Sequence, residues 1–150
     1  MKLNNASTAK NLIMIILGVD YGDVRTGISV CDKTEFLASP VCVIKETYMP
    51  KLIDRLSEIV SEKQPELIVV GLPKNMDGSL GFRAQACIEF AEELSKKTCV
   101  KTELWDERLT SVIAHKRLQM TGKREKKHKD VVDAAAAVEI LQSYLDSRRK

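Results

Sequence analysis

The sequence predicts a single α/β domain in which a mixed five-stranded sheet carries helices on both faces, in the order βββαβαβαα. Three short apolar segments come first and lie close together, as in an antiparallel meander. Helical and extended patterns then alternate, as in folds with parallel strands. The chain has 150 residues, 44% hydrophobic and 30% charged, which is an ordinary composition for one folded domain.

Each element in the first half of the chain has its own signal. Residues 14–21 predict a buried strand, because four consecutive apolar residues precede Gly18. A second strand is predicted over residues 26–31 after a tight turn, and a third over residues 41–44. Apolar residues then recur at helical spacing over residues 52–60, which predicts the first helix.

The second half of the chain alternates between the two patterns. The wholly apolar residues 67–70 predict a strand that is buried on both faces. A loop over 71–80, a helix over 82–94, a strand over 99–105 and two closing helices over 111–120 and 131–146 follow. The polar residues 1–13 predict a flexible tail before a domain over residues 14–150. No apolar run approaches the length of about 20 residues that spans a membrane.

Charge is unevenly distributed along the chain. Residues 1–114 carry a net charge of −2 and residues 115–150 carry +5. A basic C-terminal part suggests a polyanionic partner, although a solvated helix face would explain the charge equally well. The residues that we expect to bind nucleic acid in this part are Lys116, Arg117, Lys123, Arg124, Lys126, Lys127 and Lys129. Four widely spaced cysteines argue against a zinc site and a disulfide scaffold, and favour the cytoplasm.

Acidic residues lie within one predicted strand, directly after another, and near the start of one helix. Asp20 lies within the most apolar strand, where an unpaired carboxylate is costly to bury. Asp106 and Glu107 follow a later strand, at the edge of the sheet where α/β folds usually bind ligands. Asp133 precedes four alanines, and small side chains let a helix approach a sheet closely. Each acid also has a purely structural explanation. Asp20 would cap a turn, Arg108 would neutralise the adjacent acids, and an Asp in the first turn of the last helix would stabilise the helix dipole.

Carboxylates gathered at one edge repel one another, and a divalent cation removes that repulsion. Oxygen ligands without nearby cysteine or paired histidine favour Mg²⁺ or Mn²⁺. A pair of such ions can activate water and stabilise the leaving oxygen in phosphodiester hydrolysis. We therefore expect a metal site that draws on Asp20, Asp106, Glu107 and Asp133.

Four motifs, taken in order, resemble those of the YqgF family. They are Gly18-x-Asp20-x-Gly22-x-x-Arg25-x-Gly27, Gly71-Leu72-Pro73 with Asp77-Gly78, Asp106-Glu107-Arg108-Leu109-Thr110, and Asp133-x-Ala135-Ala136. The resemblance covers residues 14–146. That family is described as a pre-16S rRNA nuclease and as similar to Holliday-junction resolvases.

The resemblance implies an RNase H-like fold, in agreement with the predicted element order. It implies that Asp20, Glu107 and Asp133 are catalytic and that Arg25 contacts substrate phosphate. Asp106 also matches the motif, so either of the adjacent acids can be the metal ligand.

These observations favour a metal-dependent endonuclease that acts on structured RNA, with the 5′ end of pre-16S rRNA as the expected substrate. Two alternatives remain open: a nuclease for branched DNA, and a non-catalytic RNA-binding factor in ribosome assembly. The sequence fits a monomer or a homodimer, and a symmetric dimer would suit paired cuts in a junction. The aromatic residues are scattered and predict no stacking surface for single strands.

Overall fold

The computed structural model describes residues 14–35, 37–109 and 129–148, and the side chains of residues 14–35, 37–109 and 134–148. Five strands in this part of the chain form one sheet with the order β3-β2-β1-β4-β5. The strands are β1 Ile16–Asp20, β2 Arg25–Cys31, β3 Ala38–Lys45, β4 Leu67–Leu72 and β5 Thr102–Asp106. The predicted mixed five-stranded sheet is confirmed.

Three α-helices and one short 3-10 helix lie in the described residues. Helix α1 spans Met49–Lys63, α2 spans Phe82–Thr98 and α3 spans Lys129–Arg148, while the 3-10 helix Glu107–Leu109 follows β5 directly. A proline lies at the start of α1, where its missing N–H would have no helical partner. None of the helices described here has the length and apolar character needed to cross a membrane.

The pairing of the central strand β1 determines which strand ends lie together. It pairs antiparallel with β2 and parallel with β4, and β4 pairs parallel with β5. The carboxyl ends of β1, β4 and β5 therefore lie at one edge of the sheet, which is where ligands bind in open α/β sheets.

The two faces of the sheet are built from different residues. Helices α1 and α2 cover one face, where Leu17, Val19, Val70 and Phe90 belong to a large apolar cluster. Helix α3 covers the other face, where Ile16 and Val69 pack with Ile140 and Leu141. Side chains alternate between the two faces along a strand, so residues two apart face the same helix and adjacent residues face different helices. Residues of one strand that are an even number apart are said to have the same parity.

Helix α3 approaches β1 very closely at Gly18. A methyl group built on Gly18 would lie 2.8 Å from Leu141 Cβ and 3.0 Å from Ala137 O. Ser29 Oγ donates a hydrogen bond to Ala137 O at 2.7 Å, from a position opposite Gly18 on β2. Ala134 and Ala137 are buried. The expectation that the alanines bring this helix close to the sheet is confirmed.

Some element boundaries differ from the prediction. Strand β3 begins at Ala38, so Pro40 lies within an edge strand, where a missing N–H is tolerated. The strand predicted from residue 99 begins at Thr102, because Cys99 caps α2 in a left-handed conformation with φ 61°. The predicted tail over 1–13 and the predicted helix over 111–120 lie outside the described residues.

Candidate active site

Two of the predicted acidic residues lie on the α3 face of the sheet, at the edge where parallel strands end. Asp20 is the last residue of β1 and has the same parity as Ile16 and Gly18, which face α3. Glu107 follows β5 with the parity of Trp105, whose indole Nε1 donates to Ser143 of α3 at 3.2 Å. Both carboxylates are half-buried.

Gly71 of β4 lies between these two carboxylates. Val19 is paired with Val70 and Trp105 with Gly71, so Gly71 is level with Asp20 on one side and with Trp105 on the other. A methyl group on Gly71 would lie only 2.6 Å from Glu107 Oε2 and 3.0 Å from Glu107 Cγ. The Glu107 side chain therefore extends across the bare backbone of Gly71, toward Asp20.

The electrostatics of Glu107 show that the two carboxylates interact. Burial, together with the negative charges of Asp20 and Asp106, raises the pKa of Glu107 to about 7, whereas Arg83 opposes the shift. Desolvation and like charge both disfavour the ionised form of a carboxyl group. A group of this kind binds a cation more readily than one whose charge is already compensated.

Asp106 is in a different environment from its neighbour. Arg108 donates to it through the backbone N–H at 2.9 Å, through Nε at 3.1 Å and through Nη2 at 2.8 Å. The hydrogen bonds from the Arg108 side chain lower the pKa of Asp106. Nη1 of Arg108 also lies 3.4 Å from the carbonyl oxygen of Met76. Arg108 therefore links the 3-10 helix to the loop after β4.

Asp133 belongs to the first turns of α3, and its side chain lies outside the described residues. Helix α3 runs antiparallel to β1, because Ala137 lies on Gly18 while Arg148 Nη1 is 3.8 Å from Met14 Sδ. Asp133 lies one turn, about 6 Å, before Ala137 along the helix. Asp20 lies two residues, about 7 Å, beyond Gly18 along the strand. The backbone of Asp133 is therefore level with Asp20 at the same edge.

Two arginines lie at this edge. Arg25 begins β2 and has the parity of Gly27, the partner of Asp20, so it shares the α3 face with both carboxylates. Arg83, in the first turn of α2, donates to Asp23 Oδ1 at 2.7 Å and to the carbonyl oxygen of Tyr21 at 3.1 Å. Arg25 is predicted from its motif to contact phosphate, and Arg83, which flanks the loop that contains Asp77 and Gly78, is predicted either to add a phosphate contact or to be exposed surface charge.

The remaining predicted nucleic-acid-binding residues lie outside the described side chains. Residues 110–128 contain six of them, and the seventh, Lys129, is the first residue of α3. Their placement relative to the carboxylates stays a prediction.

The described residues fit a divalent cation by the chemistry of their donors. Asp20 and Glu107 offer carboxylate oxygens, which suit Mg²⁺ or Mn²⁺. Among the described side chains no group of three metal-ligating residues occurs, and a third ligand would have to come from beyond them. Asp133 is on the element whose backbone reaches this edge.

Comparisons with known proteins agree with this arrangement. The family described as "RuvX: Holliday junction resolvase" matches residues 14–147. A protein of Clostridium novyi named "Putative pre-16S rRNA nuclease" is 40% identical over 134 residues, covering 89% of this chain and 99% of that protein. A protein of the same name from Clostridioides difficile is 43% identical over 131 residues, covering 87% of this chain and 93% of that protein.

Two solved structures share the fold at low sequence identity. RuvC of Thermus thermophilus in complex with a Holliday junction substrate has a TM-score of 0.64 at 14% identity, covering 91% of this chain and 96% of that one. The fowlpox virus resolvase in complex with Holliday junction DNA has a TM-score of 0.56 at 15% identity, covering 91% and 100%. The expected RNase H-like fold is thereby confirmed, and the chain belongs to the RuvX family.

Proposed function

We propose that this protein is a metal-dependent endonuclease that hydrolyses phosphodiester bonds in structured nucleic acid, with the 5′ end of pre-16S rRNA as its substrate. The observation that carries the proposal is the convergence of Asp20 and Glu107 across Gly71, at the edge that the start of α3 also reaches. The names of the relatives direct the proposal toward the rRNA precursor.

In this proposal Asp20, Glu107 and Asp133 hold Mg²⁺ or Mn²⁺, and Asp106 holds Arg108. The bound cations supply an activated water and charge stabilisation for the leaving oxygen. Glu107 has to lose its proton for this role, which is easy near pH 7. Arg25 lies on the same face and binds a substrate phosphate, while the basic residues between 116 and 129 hold the nucleic-acid backbone.

The cytoplasm is the expected place of action, because the cysteines at positions 31, 42, 87 and 99 are free thiols. Burial raises the pKa of Cys87 to about 11, so that thiol is inert.

A cleavage assay tests the proposed activity. The substrate is an RNA that carries the 5′ leader and the first helix of 16S rRNA, incubated with Mg²⁺ or Mn²⁺. We expect the wild type to cut it and Asp20→Asn to be slower by about a thousandfold, because a lost metal ligand removes several kcal/mol of transition-state stabilisation. Asp54→Asn, on exposed helix α1, is the matched control and should cut normally.

Equal rates for wild type and Asp20→Asn would contradict the mechanism. Binding of the RNA without any cleavage by the wild type would instead support the non-catalytic assembly factor.

A junction resolvase is the second candidate, favoured by the description of the family. It requires two active sites that make paired cuts, as a symmetric dimer provides. Sedimentation of the protein and cleavage of a synthetic four-way DNA junction distinguish the candidates. A dimer that cuts the junction and spares the RNA would favour resolution over rRNA processing.

A further inference from the structure

Four large apolar side chains are exposed on the loop after β4, at the start of α2 and on the 3-10 helix after β5. We call them the apolar rim: Met76, Leu80, Phe82 and Leu109. Phe82 is 95% exposed and Met76 is 96% exposed, whereas Phe90, eight residues later in the same helix, is fully buried. The ring of Phe82 is therefore almost wholly accessible to a ligand.

The apolar rim is held in place by hydrogen bonds. Asn75 and Ser79 close the loop after β4, with Asn75 N donating to Ser79 O at 3.0 Å and Ser79 N donating to Asp77 Oδ1 at 2.9 Å. Gly78 adopts φ 89°, a left-handed conformation that other residues rarely take. Arg108 joins this loop to the 3-10 helix that carries Glu107. These contacts hold the backbone of the loop that carries Met76 against the 3-10 helix.

Positive charge accompanies the aromatic ring. Arg83 follows Phe82 directly and is held at the edge by Asp23 and by the carbonyl oxygen of Tyr21. Helix α2 starts at Phe82, and its first turn contains no acidic residue. An exposed aromatic ring next to a cation complements a nucleotide, because the base offers a flat apolar face and the phosphate offers negative charge.

We propose that Phe82 stacks against an unpaired base of the substrate and so positions the phosphate beside it for Asp20 and Glu107. This inference rests on the proposed nuclease function and narrows its substrate to nucleic acid that has an unpaired nucleotide next to the cut. Bases inside a continuous duplex have both faces covered by their neighbours, so they offer Phe82 no surface. Arg83 contacts the phosphate of the stacked nucleotide.

Binding measured without cleavage tests the role of Phe82. In EDTA, fluorescence anisotropy compares two RNA hairpins with the same stem, one with a blunt end and one with an unpaired 5′ tail that carries 2-aminopurine. We expect Phe82→Ala to bind the tailed RNA about tenfold more weakly, in line with the loss of one stacked base. Phe82→Tyr should restore the affinity, because it keeps the ring.

Two comparisons separate stacking from other effects. Leu37→Ala removes another exposed apolar side chain, 56% exposed between β2 and β3, and should leave both affinities unchanged. The blunt RNA should bind Phe82→Ala and the wild type equally. Quenching of 2-aminopurine by the wild type and its loss in Phe82→Ala would identify stacking directly.

The proposal is overturned if Phe82→Ala binds the tailed RNA as tightly as the wild type, or if both RNAs lose affinity equally. It is also overturned if the substitution only changes a dimer into a monomer in sedimentation, which would make the rim a contact between copies of this chain. Wild type that quenches the tail in EDTA but cuts no RNA once Mg²⁺ or Mn²⁺ is supplied would contradict the proposed nuclease function and leave the stacking role intact. Wild type that binds neither RNA would contradict both.

Discussion

The two faces of the sheet differ in the side chains that they present to their helices. On the face covered by α1 and α2, bulky side chains such as Val70 and Phe90 fill the space between helix and strand. On the α3 face, Gly18 and Gly71 have no side chain, and Ala137 fits against the first of them. Ile16 and Val69 also pack against α3 on that face, but Gly71 leaves room for Glu107 to extend across the sheet toward Asp20.

The adjacent acids Asp106 and Glu107 also face opposite sides of the sheet and have different partners. Asp106 has the parity of Leu104 and is satisfied by Arg108, which lowers its pKa. Glu107 has the parity of Trp105 and lies on Gly71, where burial raises its pKa to about 7. A shift of one residue along the backbone exchanges a structural ion pair for a candidate metal ligand.

The largest stability change is expected on the α1 and α2 face. Phe90→Ala removes a fully buried ring that stacks on Tyr21 with centroids 4.3 Å apart. Substitutions of this type cost about 3–5 kcal/mol of unfolding free energy. Urea denaturation measures the loss, and Leu37→Ala serves as the exposed control. A loss below about 1 kcal/mol would show that this face does not carry the stability assigned to it.

A smaller loss with a greater functional consequence is expected on the α3 face. Gly18→Val places a branched side chain against Leu141 and Ala137, and overpacking of this kind costs about 1–3 kcal/mol. Because α3 has to move away from β1, cleavage should fall even where the variant is fully folded. Gly81→Ala is the matched control, since the nearest atom to its new methyl group is 3.5 Å away. Full activity in folded Gly18→Val would contradict the need for close approach.

A still smaller effect should appear in the pH dependence of stability. The pKa of Glu107 rises from 4.5 to about 7 on folding, so the unfolded chain ionises first as pH increases. Stability is therefore lost between pH 4.5 and 7 and stays lower above that range. Glu107→Gln lacks this loss, and in EDTA it should be more stable than the wild type by about 1–2 kcal/mol at pH 8, allowing for solvent screening.

Urea denaturation at pH 4 and pH 8 measures this difference. At pH 4 the advantage of Glu107→Gln should largely disappear, because the Glu107 carboxyl group is then mostly protonated in both the folded and the unfolded wild type. Parallel stability curves for the two proteins would mean that Glu107 is ionised as easily in the fold as in water.

Much of this arrangement follows from the sequence. The alternation of strands and helices predicts the sheet, and the carboxyl ends of parallel strands meet, so Asp20 and the acids after β5 were expected at one edge. The alanines after Asp133 predicted the close approach of the last helix, which Gly18 and Ala137 confirm.

The choice between Asp106 and Glu107 did not follow from the sequence. Leu104 and Trp105 are both apolar, so the pattern of β5 does not tell which parity faces α3. Only the contacts of Trp105 with Tyr144 and Ser143 decide it. The exposure of Phe82 also did not follow from the sequence. Phe82 is the first of the apolar residues that predict this helix, and the pattern does not distinguish it from those that are buried.

The assignment of different roles to two adjacent acids is tested most directly by their conservative amides. Cleavage of the pre-16S leader RNA is measured at saturating Mg²⁺ for Glu107→Gln and Asp106→Asn. We predict that Glu107→Gln is slower by about a thousandfold, whereas Asp106→Asn stays within about tenfold of the wild type. The reverse order, or equal losses in the two variants, would contradict the site described here.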